Sequence, residues 1–151
     1  MAALFLDTSA LVRRYDRGEA GSGKVVALCL PANGHTLLLA RITRVEVASA
    51  LGRKVREGRL GQPLMQRLWT LFLAHWRDQY RVVALDEATY ERAEQLLFAH
   101  PLRAYDALQL ACALRTAALL ADVTDDFRFC TADRAQGDAA TREGLVLETV
   151  P

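Results

Sequence analysis

Three features of the chain predict an α/β fold, with a mainly parallel central sheet flanked by helices in three layers. Short apolar runs alternate with stretches of helical periodicity from one end of the chain to the other, the pattern of consecutive strand–helix units. The first run, Leu4-Phe5-Leu6, is continuously apolar rather than alternating, as suits a strand covered on both faces. The 151 residues also match one ordinary domain with a full core, so residues 1–151 read as a single domain.

Taken in order, the strand through Phe5 ends in Asp7-Thr8-Ser9 and a short helix follows around Leu11 to Tyr15. Gly18, Gly23 and Lys24 have the spacing of a phosphate-binding loop. Val25 stands where a metal-binding hydroxyl should be and no strand precedes Gly18, so the segment reads as a turn. A helix over Lys24 to Leu30 is stopped by Pro31, Asn33 and Gly34, and Thr36 to Ala40 is a second strand. Thr43 opens a helix, apolar at Val45, Val47, Ala48 and Leu51, that ends at Gly58. Pro63 starts the next, which runs towards Tyr80 and carries more large apolar groups, Leu64, Leu68, Trp69, Leu71, Phe72, Leu73 and Trp76 among them, than one stripe needs. The surplus predicts burial between neighbours or an interface, and His75 edges that core. Arg81 to Leu85 is a third strand, Asp86 caps a helix to Ala99, and His100-Pro101 breaks it. A long helix from Leu102 to about Leu120, a strand over Arg128 to Thr131, a helix from Arg134 to Glu143 and a last strand over Leu145 to Val150 complete the chain.

Two strands thus end in an acid with a hydroxyl nearby, Asp7 beside Thr8 and Asp133 beside Thr131. Two helices begin with an acid in the first turn, Glu46 and Asp106. Each has a purely structural alternative. Asp7 is a good helix N-cap, Thr43-x-x-Glu46 has the capping-box pattern, and Arg103 is placed to pair with Asp106. In a parallel sheet, however, strand C-ends and helix N-ends share one edge. Four acids converging there would repel unless a cation neutralised them. An all-oxygen set selects a hard divalent ion, Mg²⁺ or Mn²⁺, with Thr8, Ser9 and Thr131 orienting the carboxylates by hydrogen bonds.

Composition narrows the classes. Lys and Arg number 19 against 18 Asp and Glu, a net charge of +1, so no global field advertises nucleic acid and any basic groove is local. Arg13, Arg14, Arg41 and Arg44 lie near the two N-terminal acids and are candidate phosphate contacts. Cys29, Cys112 and Cys130 are odd in number and without metal-ligand spacing, as expected of buried thiols in a reducing compartment. No basic leader or membrane-length apolar stretch is visible, which predicts a cytoplasmic protein with no membrane partner.

The ordered set Phe5-Leu6-Asp7-Thr8-Ser9, Glu46, Arg103-Ala104-Tyr105-Asp106-Ala107-Leu108-Gln109-Leu110-Ala111 and Thr131-Ala132-Asp133 resembles the PIN-domain ribonucleases, and within them the VapC-type toxins. The resemblance implies a quartet of Asp7, Glu46, Asp106 and Asp133 holding Mg²⁺ or Mn²⁺ for hydrolysis of RNA phosphodiester bonds. It also implies a cognate antitoxin and a homodimer. One departure follows Asp133, where many members place a bulky apolar residue and this chain has Ala135-Gln136-Gly137. The alternatives are a catalytically silent PIN-like partner-binding module and a phosphatase with Asp7 as nucleophile. The phosphatase reading lacks the second acid it wants two residues on, where Ser9 stands.

Overall fold

The computed structural model describes residues 1–151. Strands β1 (Ala3–Leu6), β2 (Thr36–Ala40), β3 (Tyr80–Val83), β4 (Phe127–Thr131) and β5 (Val146–Thr149) form one sheet in the order β3-β2-β1-β4-β5. Every pairing is parallel, so the sheet expected to be mainly parallel is parallel throughout. The helices are α1 (Thr8–Leu11), α2 (Ser22–Leu28), α3 (Thr43–Arg56), α4 (Gln62–Asp78), α5 (Glu87–Ala99), α6 (Ala104–Leu119) and α7 (Arg134–Arg142), with 3₁₀ turns at Val12–Arg14 and Pro31–Asn33. None is long and apolar enough to cross a membrane.

Side chains of a strand point alternately to opposite faces, and β1 divides the core accordingly. Leu4 and Leu6 pack with Leu39, Val25, Val47, Leu51 and Phe72 beneath α2, α3 and α4. Ala3 and Phe5 pack with Leu38, Phe129, Leu96, Leu110 and Ala111 beneath α5, α6 and α7. This is the three-layer arrangement, and it explains why the first run is apolar at every position. The three cysteines are buried and free.

Several boundaries move, for local reasons. The first helix begins at Thr8 rather than near Leu11, because the Asp7 side chain caps it by accepting from Ala10 N. The turn before α2 brings Gly21 to a φ of 78° against the C-terminus, where an added Cβ would meet Val150 and Pro151; only glycine fits both conditions. Lys24, the lysine of the phosphate-loop look-alike, is bonded to Glu148 at 2.7 Å. Asp86 caps α5 as expected, accepting from Thr89 N at 2.9 Å.

The apolar surplus on α4 divides between the two expectations. Phe72 is fully buried, and Trp69 and Trp76 pack against it with ring centroids at 5.3 and 5.7 Å. Leu68 and Leu73 pack on the same core, while Leu64 and Leu71 remain about half exposed. His75 takes part in no metal cluster; its Nδ1 lies 2.8 Å from the Tyr15 hydroxyl. Because Phe72 anchors this aromatic group, Phe72→Ala is expected to lower unfolding stability by roughly 3–5 kcal/mol in urea titrations. A loss no larger than that of a surface substitution would show that α4 is not anchored there.

Candidate active site

The site begins where β1 ends. Asp7 continues the ladder through its N–H to the Cys130 carbonyl at 3.0 Å, then caps α1, its Oδ1 accepting from Ala10 N at 2.9 Å. The strand-end and N-cap readings of Asp7 therefore hold together. Two hydroxyls complete its shell. Ser9 Oγ donates to Oδ1 at 2.8 Å and Thr131 Oγ1 donates to Oδ2 at 2.7 Å. The donor direction is set by the backbone, since Ser9 Oγ accepts from Ala132 N and Thr131 Oγ1 accepts from Asp133 N, each at 3.0 Å. Both hydroxyl protons are left for Asp7. The carboxylate is 1% exposed, and burial pushes its pKa up to about 7 although these bonds and the Ala10 N–H favour the charged form. The negative charge of Asp106 raises it further.

Glu46 stands on the first turn of α3, but the capping box does not form. Ile42 precedes the helix with no side-chain cap, and Thr43 instead meets Gln109 Nε2 at 2.8 Å. Glu46 Oε1 accepts from Thr8 Oγ1 at 3.0 Å and from Gln109 Nε2 at 2.7 Å. Burial raises the Glu46 pKa, Gln109 and Thr8 lower it, and the charge of Asp106 raises it again. Gln109 is the residue that sequence reasoning passed over. It lies one turn after Asp106 on the same helix face, a spacing that would have flagged it, and its buried Oε1 has no partner.

Asp106 opens α6 and lies 3.3 Å from Arg103 Nε. With Arg103 86% exposed, that pair is screened and worth little. Asp133 caps α7, Oδ1 accepting from Gln136 N at 2.9 Å. The departure after Asp133 acquires a reason here. Gln136 is buried and donates Nε2 to the Asp106 carbonyl at 3.1 Å, tying α7 to α6, and a Cβ on Gly137 would lie in van der Waals contact with Leu147 and Thr131.

Asp7, Glu46, Asp106 and Asp133 all line one cavity of about 480 Å³, with Thr8, Ser9, Gln109, Arg53 and Arg103 on its walls. Thr131 supports Asp7 from behind. Arg13 and Arg14 do not reach it. Arg13 donates to the carbonyls of Ser9, Ala20 and Pro151, and Arg14 donates to the Tyr80 hydroxyl and Gln79, so their donors are used within the fold. Arg41 and Arg44 stack on the tryptophans of α4.

In chemical kind these acids suit a hard divalent ion. The donors are all oxygen. A cation would also relieve the burial that raises both Asp7 and Glu46. The carboxylates do not form a finished cage as they stand, for no three His, Cys, Asp or Glu side chains are grouped closely enough to hold an ion.

The Asp7 carboxyl is near 7 in the fold against an ordinary 3.8. A carboxyl raised on folding stabilises fully below its unfolded value, and that contribution is lost as pH rises through the folded value. The stability of the protein relative to Asp7→Asn is therefore expected to fall between about pH 4 and pH 7, by up to roughly 4 kcal/mol. Denaturant titrations of both proteins without divalent ions measure it, and a difference independent of pH would refute the buried, proton-hungry carboxyl.

A family model described as PIN domain matches residues 4–135. No curated protein matches the chain in sequence. Among solved structures, Mycobacterium tuberculosis VapC20, a sarcin–ricin loop cleaving toxin, superposes with a TM-score of 0.67 at 19% identity, covering 99% of this chain and 100% of that one. VapBC2 from Rickettsia felis, bound to a DNA fragment from its promoter, gives 0.66 at 13% identity over 99% of each chain. FitAcB from Neisseria gonorrhoeae gives 0.62 at 13% identity over 95% of each. At these identities the likeness is one of fold. The family match runs from Leu4 at the head of β1 to Ala135 in α7 and takes in all four acids; the chain belongs to the PIN domain family.

Proposed function

We propose that this protein is a metal-dependent endoribonuclease, hydrolysing RNA phosphodiester bonds as the toxin of a toxin–antitoxin pair. The observation that carries this reading is that four carboxylates from four separate elements line one cavity, with Asp7 buried there. Membership of the PIN domain family supports it, as does the fold shared with a toxin that cleaves the sarcin–ricin loop.

Asp7, Glu46, Asp106 and Asp133 would hold Mg²⁺ or Mn²⁺. When bound, such an ion acidifies water and offsets the charge that builds on the phosphate during hydrolysis. The chain's own groups do the rest. Ser9 and Thr131 fix the orientation of Asp7 and favour its charged form against burial. Thr8 and Gln109 occupy Glu46 Oε1, which leaves Oε2 free of protein donors to accept a proton from the attacking water. Arg53 and Arg103, on the cavity wall, supply positive charge for the phosphate oxygens.

The antitoxin would be received beside the site. A second cavity of about 640 Å³ shares Val12 and Ala50 with the first and is apolar at Val47, Leu51, Leu60, Leu64 and Leu68. An apolar segment seated there would bring its neighbouring residues over the acids. A second copy of the chain is proposed as a further partner.

Cleavage of a labelled RNA is expected with Mg²⁺ or Mn²⁺ and not in EDTA. Asp7→Asn and Asp106→Asn should each lose activity by a factor of about a hundred or more, as removal of a metal-supporting carboxylate does. Activity that persists undiminished in EDTA would sink the reading. Asp106→Asn should also melt at or above the parent temperature in EDTA, because it removes repulsion from Asp7 and Glu46 and breaks only an exposed pair. A clear drop in melting temperature would instead make the pair with Arg103 structural.

A further inference from the structure

Arg41, just after β2, and Arg44, on the first turn of α3, stand over the indoles of α4. The Arg41 Cζ is 5.5 Å from the Trp76 ring centroid. The Arg44 Cζ is 6.0 Å from that of Trp69 and 5.9 Å from that of Trp76. The indoles are themselves held by Phe72, which is fully buried. Arg59, Arg77 and Arg128 rest instead on the carboxylates of Glu57, Asp78 and Asp126. Arg41 and Arg44 have no acidic partner and donate no side-chain hydrogen bond to the protein, so two guanidinium groups lie over indole rings with their N–H donors free.

We infer that Arg41 and Arg44, backed by Trp69 and Trp76, form a phosphate-binding platform that grips the single-stranded RNA substrate beyond the acidic cavity. The inference rests on the ribonuclease reading and deepens it. A guanidinium is weakly hydrated and presents a rigid fork that matches phosphate oxygens bidentately. Stacking on indole holds that fork in place before the ligand arrives, so little side-chain freedom remains to be lost on binding. The location fits. Val45 and Glu46, the next residues of the same turn, line the cavity, and Val45 is largely exposed, so the way from cavity to platform is open across the head of α3. RNA is favoured over an acidic protein because the platform continues directly from the cavity proposed to hold the scissile phosphate. It also supplies local positive charge in a protein whose net charge is only +1.

The test is binding of a fluorescein-labelled oligoadenylate dodecamer in EDTA, followed by anisotropy at several salt concentrations, for the parent protein and Arg41→Gln/Arg44→Gln. The double variant is expected to bind about tenfold more weakly or worse. Its salt dependence should be shallower by about 1.4 in log–log slope, two lost phosphate contacts at roughly 0.7 each for a single strand. Mn²⁺ binding by calorimetry should be unchanged, since the acids are untouched. Equal affinity and slope in the two proteins would overturn the platform and leave the ribonuclease reading standing. A parent protein that neither binds nor cleaves RNA would overturn both. A double variant that keeps RNA binding but loses self-association or binding of polyglutamate would overturn the platform and mark a protein interface instead. If the glutamine variant fails to fold, Arg41→Lys/Arg44→Lys decides. It keeps the charges and loses the planar stack, and reduced affinity supports the platform whereas parental affinity overturns it.

Discussion

A carboxylate buried at the end of the central strand is the constraint around which the rest is arranged. Asp7 is taken out of water at the junction of β1 and α1, and desolvation alone would drive it to hold a proton near neutral pH. Ser9, Thr131 and the Ala10 N–H oppose that by donating to it. The protein leaves this conflict unresolved and adds the charge of Asp106 to it. A fold selected for stability alone would replace such a group with an apolar or paired one. At the sheet's C-terminal edge this protein leaves a buried acid whose charge a cation would offset.

The parallel topology explains how that carboxylate is supplied. β1 is the middle strand, and its register with β4 sets Leu6 opposite Cys130, so the residues that follow each, Asp7 and Thr131, emerge side by side. One hydroxyl from each strand exit then serves the same carboxylate, and the backbone N–H groups of Ala132 and Asp133 orient those hydroxyls. The helix starts arrive at the same edge, since in each parallel crossover the helix begins at the strand C-ends and runs back to the end from which the next strand begins. Glu46 and Asp106 are delivered there from opposite layers of the fold, α3 on one face and α6 on the other.

Gln109 joins those layers. Its amide contacts Thr8, Thr43 and Glu46, residues of α1 and α3, from its seat on α6. It is a polar side chain on a helix buried mostly through apolar residues, Ala107, Leu110, Ala111 and Ala113 among them. A buried polar group is tolerated when it is bonded, and here the bonds also hold one oxygen of Glu46 still. The orphaned Oε1 of Gln109 is the remaining cost of that arrangement.

Much of this was legible in the sequence. The continuous apolar run through Phe5, the alternation of strand and helix signals, Pro63 at a helix start and the cap at Asp86 depend on the chemistry of neighbouring residues, and those elements formed where they were read. The four acids were also legible as candidates, because each sits at a strand end or in a first helical turn and a parallel sheet has only one edge for both. What only the tertiary structure decided is which of several local partners each polar group takes. Thr43 and Glu46 could have closed a capping box, and Arg13, Arg14, Arg41 and Arg44 looked alike as cations near an acid. Long-range contacts settled them differently. Gln109, sixty-odd residues away, drew Thr43 and Glu46 into the site, backbone carbonyls and tyrosine took Arg13 and Arg14, and the indoles of α4 took Arg41 and Arg44. Local sequence determines backbone preference and apolar pattern through neighbours a few residues apart. Hydrogen bonds and stacking are short-ranged in space but indifferent to separation along the chain, so the choice among partners waits for the packed fold.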